Sequence, residues 1–115
     1  MSYKGNTLAL DAPVTLSIEQ RWGGAKAVAY TQPGLLERCG VENLTLESDY
    51  DRTLPKDENH CWDGVSITDA ENCWVRMVTF RHFAGSSVVV GRSASQVTVE
   101  DCKSLAPVSE IGGLR

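Results

Sequence analysis

The sequence predicts an all-β fold, a right-handed parallel β-helix (a solenoid) of about three to four coils. Residues 71–80 alternate apolar with polar side chains, change phase at Met77 and then resume the alternation. Residues 95–104 repeat this pattern with the change at Asp101, and a similar unit begins at Glu42. An alternating run with one change of phase indicates a strand, a tight bend and a second short strand. Repetition of such a unit is typical of a solenoid, in which each coil covers the next.

A second set of short apolar runs gives nearly the same repeat length. Val65–Ile67 and Val88–Val90 begin 23 residues apart, and Cys73 and Val97, at equivalent places in the alternating units, are 24 residues apart. The step from the first alternating unit to the second is longer, 29 residues, and the excess falls in the polar residues 49–60. A solenoid accommodates an insertion as a surface loop, so a binding loop is predicted there.

The same alignment predicts which side chains stack across the coils. The inward columns are Leu44–Cys73–Val97 and Leu46–Val75–Val99, followed after the bend by Val78–Cys102 and Phe80–Ser104, and the outward column is Glu47–Arg76–Glu100. Parallel stacking places the outward side chains about 5 Å apart. The alternating charge of that column favours the alignment, because like charges directly opposite one another destabilise a sheet.

The first 39 residues have a weaker strand pattern. Residues 7–10 and 14–18 are short alternating runs separated by Pro13, which has no N–H to donate and belongs at a corner or an edge. Residues 27–30 form a further candidate strand before a Gln-Pro-Gly turn, and residues 35–39 favour a strand because no helical period extends them. The predicted division is residues 1–39, strands and turns that cover or start the first coil, and residues 40–115, the coils with the inserted loop at 49–60.

Composition and charge argue against several classes of function. The net charge is −4 with the signs interspersed, whereas a nucleic-acid-binding surface needs a clustered basic face. No apolar run approaches membrane-spanning length, and the first residues contain no apolar signal-peptide region. We expect a chain that binds neither nucleic acid nor membrane, cytoplasmic by default and extracellular if it is a fragment of a secreted β-helix protein.

The four cysteines are Cys39, Cys61, Cys73 and Cys102, and none forms a C-x-x-C pair. Zinc-ribbon spacing is therefore absent from the sequence. Cys73 and Cys102 occupy positions where other units carry Leu or Val. The pattern favours small buried hydrophobic side chains over a disulfide framework.

Four consecutive segments together carry a family resemblance: residues 63–67, 72–80, 85–90 and 97–102. They resemble the pectin-lyase-like superfamily of right-handed parallel β-helices. Within it, the order of units is similar to polygalacturonase-type glycoside hydrolases and to uncharacterised β-helix repeat proteins. The resemblance covers roughly residues 40 to 104 and implies a fragment or an altered copy of such a protein.

The catalytic pattern of the polygalacturonases carries over only in part. Of their Asn-Thr-Asp motif only Asp63 has a counterpart, and their paired aspartates fall at Gly85 and Ser86, which cannot ionise. Inverting hydrolysis needs one carboxylic acid and one carboxylate across the scissile bond. The resemblance therefore implies no catalytic residue in this chain for that mechanism.

The two histidines mark a candidate binding groove. They precede the second strand family by five and six residues, which places them at nearly the same turn of adjacent coils. The candidate groove residues are Asp57, Glu58, His60, Trp62, Asp63, Arg81 and His82. In a saccharide or uronate groove, Trp62 would stack on a sugar face and Arg81 would meet a carboxylate. The alternative is a solvated column of turns with Trp62 packed against a neighbouring coil.

Two further chemistries are consistent with these residues. In a lyase, Arg81 or a histidine would be the base, and the loop acids Asp49, Asp51, Asp57 and Glu58 would bind Ca²⁺. A transition-metal site of His60, His82 and Asp63 is a weaker hypothesis, because the spacing is not a known ligand pattern. Outside the lyase alternative, no cofactor or metal is expected.

The ends of a short solenoid predict a partner. Uncapped coils present unpaired strand edges and apolar floors, so we expect homo-oligomers formed through the coil ends. Trp74 takes an outward position, which suggests a covering segment or a partner surface. The sequence favours a non-catalytic β-helix module that self-associates, with carbohydrate or a protein as a further ligand. The alternative is a fragment of a polysaccharide-active enzyme, a uronate lyase or a glycoside hydrolase.

Overall fold

The computed structural model describes residues 2–10 and 12–110, which belong to two compact units, Met1–Thr31 and Gln32–Arg115. The described residues contain ten β-strands and one short 3-10 turn. The predicted all-β class is therefore confirmed. No helix in the described part of the chain is long and apolar enough to cross a membrane.

The first unit contains a hairpin and one helical turn. Strands β1 (Ser2–Lys4) and β2 (Thr7–Ala9) pair antiparallel around the two residues that follow Lys4, of which Gly5 has a φ of 58°. A residue with positive φ suits the tight turns that match the twist of a hairpin. The turn Gln20–Trp22 follows. The strands predicted at 14–18 and 27–30 are wrong, since neither run pairs with a neighbour in the structure.

The second unit contains eight strands, all paired in parallel. They are β3 (Leu36–Glu37), β4 (Gly40–Glu47), β5 (Val65–Ile67), β6 (Ala70–Glu71), β7 (Trp74–Arg81), β8 (Val88–Val90), β9 (Thr98–Glu100) and β10 (Lys103–Leu105). Strand β7 lies between β4 on one edge and β9 with β10 on the other. Strand β3 pairs with β6, and β5 pairs with β8. The predicted division between residues 39 and 40 lies within this unit, between β3 and β4.

The register corrects part of the predicted alignment. Leu44 lies opposite Val78 and Leu46 opposite Phe80, so the predicted pairing of Leu44 with Cys73 is wrong, as is that of Leu46 with Val75. By contrast, Val75 does lie opposite Val99, and Phe80 opposite Ser104. The outward charges change accordingly, because Arg76 lies between Glu42 and Glu100, and Glu47 faces Arg81.

The error has a structural cause. Residues with left-handed backbone recur five positions apart in three segments, and they include Arg38 and Asn43, Asn72 and Met77, and Gln96 and Asp101. The Glu-Asn pair at 42–43 resembles the one at 71–72, yet Asn43 aligns with Met77, whereas Asn72 aligns with Arg38. An alignment on that pair is displaced by five residues, and it underestimates the insertion by the same amount.

The left-handed residue inside each long strand unit reverses the phase of burial. Val75 and Val78 are both fully buried although an odd number of positions separates them, because Met77, with φ 52°, turns the chain between them. Phe80 is also fully buried and meets Phe83 edge to face, with ring centroids 6.0 Å apart. Smaller side chains from the flanking strands pack around this cluster: Val41, Leu46, Val65, Ile67, Val88 and Cys102.

The core leaves no room for a side chain at Gly64. A Cβ atom at Gly64 would overlap the Phe80 ring and approach the Ser87 carbonyl oxygen to 2.6 Å. We expect Gly64→Ala to destabilise the chain by about 1–3 kcal/mol, since overpacking displaces a buried side chain and backbone. Urea unfolding followed by circular dichroism measures this loss.

The matched control for this substitution is Gly85→Ala. A Cβ atom at Gly85 would approach Trp62 Cε3 at 3.0 Å and the Trp62 carbonyl oxygen at 3.1 Å, both farther than the 2.4–2.6 Å at Gly64. The control should cost clearly less than Gly64→Ala. Equal unfolding midpoints for the two variants would contradict the packing described around Phe80.

Candidate functional site

The polar insertion at residues 49–60 is held by its own carboxylates. Asp57 is only 8% exposed and accepts the backbone N–H groups of Asp51 (3.0 Å) and Asn59 (2.8 Å). Asp51 in turn accepts the N–H and the hydroxyl of Thr53, at 2.9 and 2.7 Å. These hydrogen bonds favour the charged carboxylates, so the pKa of Asp57 is lowered by the N–H of Asp51 and that of Asp51 by the Thr53 hydroxyl.

The structure brings His60 and His82 into contact. The His60 ring nitrogen Nε2 lies 2.6 Å from the backbone carbonyl oxygen of His82. A carbonyl oxygen only accepts, so Nε2 carries the hydrogen and neutral His60 has a lone pair on Nδ1. Nδ1 is buried without a hydrogen-bond partner among the described residues. Through this contact the end of the loop is fixed to the end of β7.

Two further residues complete this cluster, and sequence reasoning missed both. The Tyr50 ring meets His82 edge to face at 5.1 Å and lies 5.9 Å from the His60 ring. Glu47 Oε1 is 3.4 Å from His82 Nδ1, and Glu47 Oε2 is 3.8 Å from Arg81 Nε. The signal for Glu47 was the register of β4 against β7, which the displaced alignment concealed.

Three more candidate residues, Glu58, Trp62 and Asp63, lie near the end of the loop and just after it, before β5. Trp62 is 46% exposed, and its indole N–H donates to the Glu58 carbonyl oxygen at 3.1 Å. Glu58 Oε1 accepts the N–H of Glu110 (2.9 Å), and Asp63 Oδ1 accepts the N–H of Ser86 (3.2 Å), which precedes β8. Asp57, His60 and His82 thus form the base of the loop, while Trp62 presents a fixed aromatic surface beside it.

The geometry of the acidic groups bears on the calcium hypothesis. Among the described residues, no three or more His, Cys, Asp or Glu side chains are arranged to hold a metal ion. Asp51 and Asp57 already accept two hydrogen bonds each from the loop. Their oxygens support the loop conformation, and a Ca²⁺ ion, which takes six to eight oxygen ligands, would have to compete for them.

The outward face of β4 and β7 carries a second polar group. Glu42 Oε2 accepts the indole N–H of Trp74 (3.1 Å) and Nε of Arg76 (2.5 Å), which lowers the pKa of Glu42 and raises that of Arg76. The Trp74 ring leans over Gly40, where a Cβ atom would overlap it. Because Gly40 has no side chain, the outward Trp74 ring can pack over its backbone and is partly covered by it.

Acid should loosen the loop through Asp57. Because the pKa of Asp57 is lowered in the folded chain, its stabilisation is complete above 3.8, the ordinary value, and is lost as the pH falls through the lower folded value. Asp57→Ala should reduce stability at neutral pH and remove this part of the acid dependence. Thermal unfolding across the acid range, with amide exchange at Asp51 and Asn59, measures both effects.

The control is Asp49→Ala, because the Asp49 side chain is exposed and accepts one N–H, that of Tyr50. It should leave the exchange at Asp51 and Asn59 near the wild-type rate. Unchanged protection of these two amides in Asp57→Ala would contradict the role given to this carboxylate.

Comparison with protein-family models, with curated proteins and with solved structures found no match to this chain. The chemistry of the residues themselves must therefore indicate the function.

Proposed function

We propose that residues 32–110 are coils of a parallel β-helix and that the chain is a non-catalytic module that self-associates through its coil ends. The order of strands supports this assignment. Strands β5, β6 and β7 follow one another along the chain, and each pairs in parallel with an element of an adjacent coil. A right-handed path follows from the general rule for parallel crossovers.

The free strand edges are the observation that carries the proposal. In the described residues, β4 pairs only with β7, and β9 and β10 also pair only with β7. Each of these strands therefore has one unpaired edge. A row of unpaired N–H and C=O groups is a template for a strand from another chain.

The shapes of the two edges favour a second copy of this chain as the partner. Strand β4 has its left-handed break at Asn43, and the β9–β10 segment has its break at Asp101. Within the chain, both breaks align with Met77 of β7. The β9–β10 edge of one copy can therefore follow β4 of the next with the same alternation of inward side chains, which an unrelated strand would not match.

Apolar surface is exposed at both ends of the stack. At the β4 end, a cavity of about 230 Å³ is lined mainly by apolar side chains, among them Leu36, Val41, Val65 and Ile67. At the other end, Val99 and Leu105 are exposed. Burial of both surfaces in one head-to-tail contact would supply the hydrophobic part of the association.

The outward charges oppose this contact and provide a sensitive test. Glu100 of one copy would stack about 5 Å from Glu42 of the next, and like charges directly opposite one another destabilise a sheet. Glu100→Lys replaces this repulsion by attraction. We expect it to lower the dissociation constant by about twofold to tenfold, measured by sedimentation equilibrium at low salt.

Two controls accompany this measurement. Glu19→Lys makes the same change of charge in the first unit and should leave association unchanged. Thr45→Pro should abolish association: the Ser48 N–H donates to Arg81, and N–H groups alternate between the two edges of a strand, so that of Thr45 faces the free edge. A wild-type chain and a Glu100→Lys variant that both remain monomeric at high concentration would contradict the proposal.

The hydrogen bonds of the loop favour the non-catalytic assignment. The groups best suited to act as acid or base are Asp57 and His60, and both hold the loop, through two backbone N–H groups and the His82 carbonyl oxygen respectively. Asp57 would have to release the loop before it could take a proton from a substrate, and the His60 lone pair on Nδ1 is buried away from solvent.

Carbohydrate binding at Trp62 is the second candidate function. The Trp62 side chain is half-exposed, and its indole N–H is fixed to Glu58, so the ring is presented without much loss of rotamer freedom on binding. Trp62→Ala should abolish binding to a neutral or acidic polysaccharide, whereas Trp22→Ala, at an exposed Trp in the first unit, should not. Formation of unsaturated product from polygalacturonate with Ca²⁺ would instead favour the lyase alternative.

A further inference from the structure

The corrected register places two cysteines side by side, each directly before a strand of the same parallel pair. The Trp74 N–H donates to the Cys39 carbonyl oxygen (3.1 Å), and Gly40 lies directly opposite Trp74. Cys39 directly precedes β4, and Cys73 directly precedes β7, so the two cysteines lie at equivalent positions of two paired parallel strands. Neighbouring strands are about 4.8 Å apart. That separation lies within the range of about 4.4–6.8 Å between Cα atoms that a disulfide can span.

The two thiols also point in the same direction. Cys39 Sγ lies 3.4 Å from the Glu37 carbonyl oxygen, and Cys73 Sγ lies 3.5 Å from that of Glu71, the residue opposite Glu37. Cys73 Sγ is also 3.9 Å from the carbonyl oxygen of Leu36, three residues before Cys39. The Cys73 thiol thus already reaches across to the preceding coil.

The surroundings leave room for a bond to form. Both cysteines line the cavity of about 230 Å³ at the β4 end of the stack, so the Cys39 side chain can rotate towards Cys73 without displacing the core. All four cysteines are free thiols in the structure. Cys39 is exposed and Cys73 is only 5% exposed, so a reagent in solution reaches the Cys39 thiol before the Cys73 thiol.

We infer that Cys39 and Cys73 form a disulfide bridge when a low-molecular-weight disulfide is the oxidant. The Cys39 thiolate attacks one sulfur of the oxidant, forming a mixed disulfide and expelling the other half as a thiol. The Cys73 thiolate then attacks the Cys39 sulfur and expels the second half. The two protein thiols lose two electrons and two protons, and the oxidant takes up both and becomes two thiols.

The other two cysteines lack such a partner and serve as internal controls. Cys61 is exposed, and its backbone carbonyl oxygen accepts the N–H of Ala84. Cys102 Sγ lies near the carbonyl oxygens of Val75 and Glu100. Neither contact brings a second sulfur close. Cys61 should therefore react with the oxidant and keep the mixed disulfide, whereas Cys39 should exchange it for the bridge.

The experiment treats the folded, reduced full chain with oxidised glutathione and maps the peptides by mass spectrometry without reduction. We expect a peptide pair joining Cys39 to Cys73 that has lost the mass of two hydrogen atoms, and we expect it also in Cys61→Ser. Cys73→Ser should retain glutathione on Cys39, and Cys39→Ser should leave Cys73 as a free thiol. The bridged chain should unfold at a higher urea concentration than the reduced chain.

Several outcomes would overturn the inference. Glutathione that persists on Cys39 in the wild-type chain would show that Cys73 does not reach it. A bridge from Cys39 to Cys61 or Cys102 in its place would show that the thiols pair from other conformations. Oxidation in denaturant provides the reference, because random pairing there should lose the preference for Cys39 with Cys73 that the folded chain shows.

Discussion

The register of β7 against its two neighbours is the constraint on which the second unit depends. The three strand units must align their left-handed residues Asn43, Met77 and Asp101, because each of these reverses which side chains face inward. A shift by one residue would turn Val75 and Val78 towards solvent. These left-handed residues therefore fix the register of the strands. They exclude neighbouring registers, and the conformational free energy of a non-glycine residue in the left-handed region is a modest penalty.

The same left-handed residues explain which strand pairings could be predicted from the sequence and which could not. The strand units at 74–81 and 98–105, and the pair Val65–Ile67 with Val88–Val90, were predictable because no insertion separates them. The step across 49–60 was not, since two breaks five residues apart make two alignments of similar quality. In the first unit the strand prediction failed for a different reason. An alternating pattern indicates a strand only if a neighbouring strand exists to pair with it. Its apolar side chains, such as Leu16 at 79%, remain exposed.

The candidate site was predictable in its residue types and less so in its contacts. A contact between the two histidines could be inferred from their spacing, and they do meet, through a ring nitrogen and a backbone oxygen. The role of Asp57 could not be inferred, because an acidic residue that accepts backbone N–H groups looks in a sequence like one available to a ligand. Tyr50 enters the cluster through the conformation of the loop, and Glu47 enters it through the register of β4 against β7.

The number of paired neighbours that a strand has decides which of its apolar side chains are buried. Val75 and Val78 are fully buried, whereas Val99, opposite the first, is 47% exposed and Leu44, opposite the second, is 39% exposed. The residue types are alike and the strands are alike, so the difference lies in coverage: β7 has a strand on each side, while β4 and β9 have one. A buried apolar side chain contributes roughly 1.5–3 kcal/mol relative to an exposed one. Strands β4 and β9 therefore lack, along their unpaired edges, a stabilisation that a further parallel strand with the same alternation would supply.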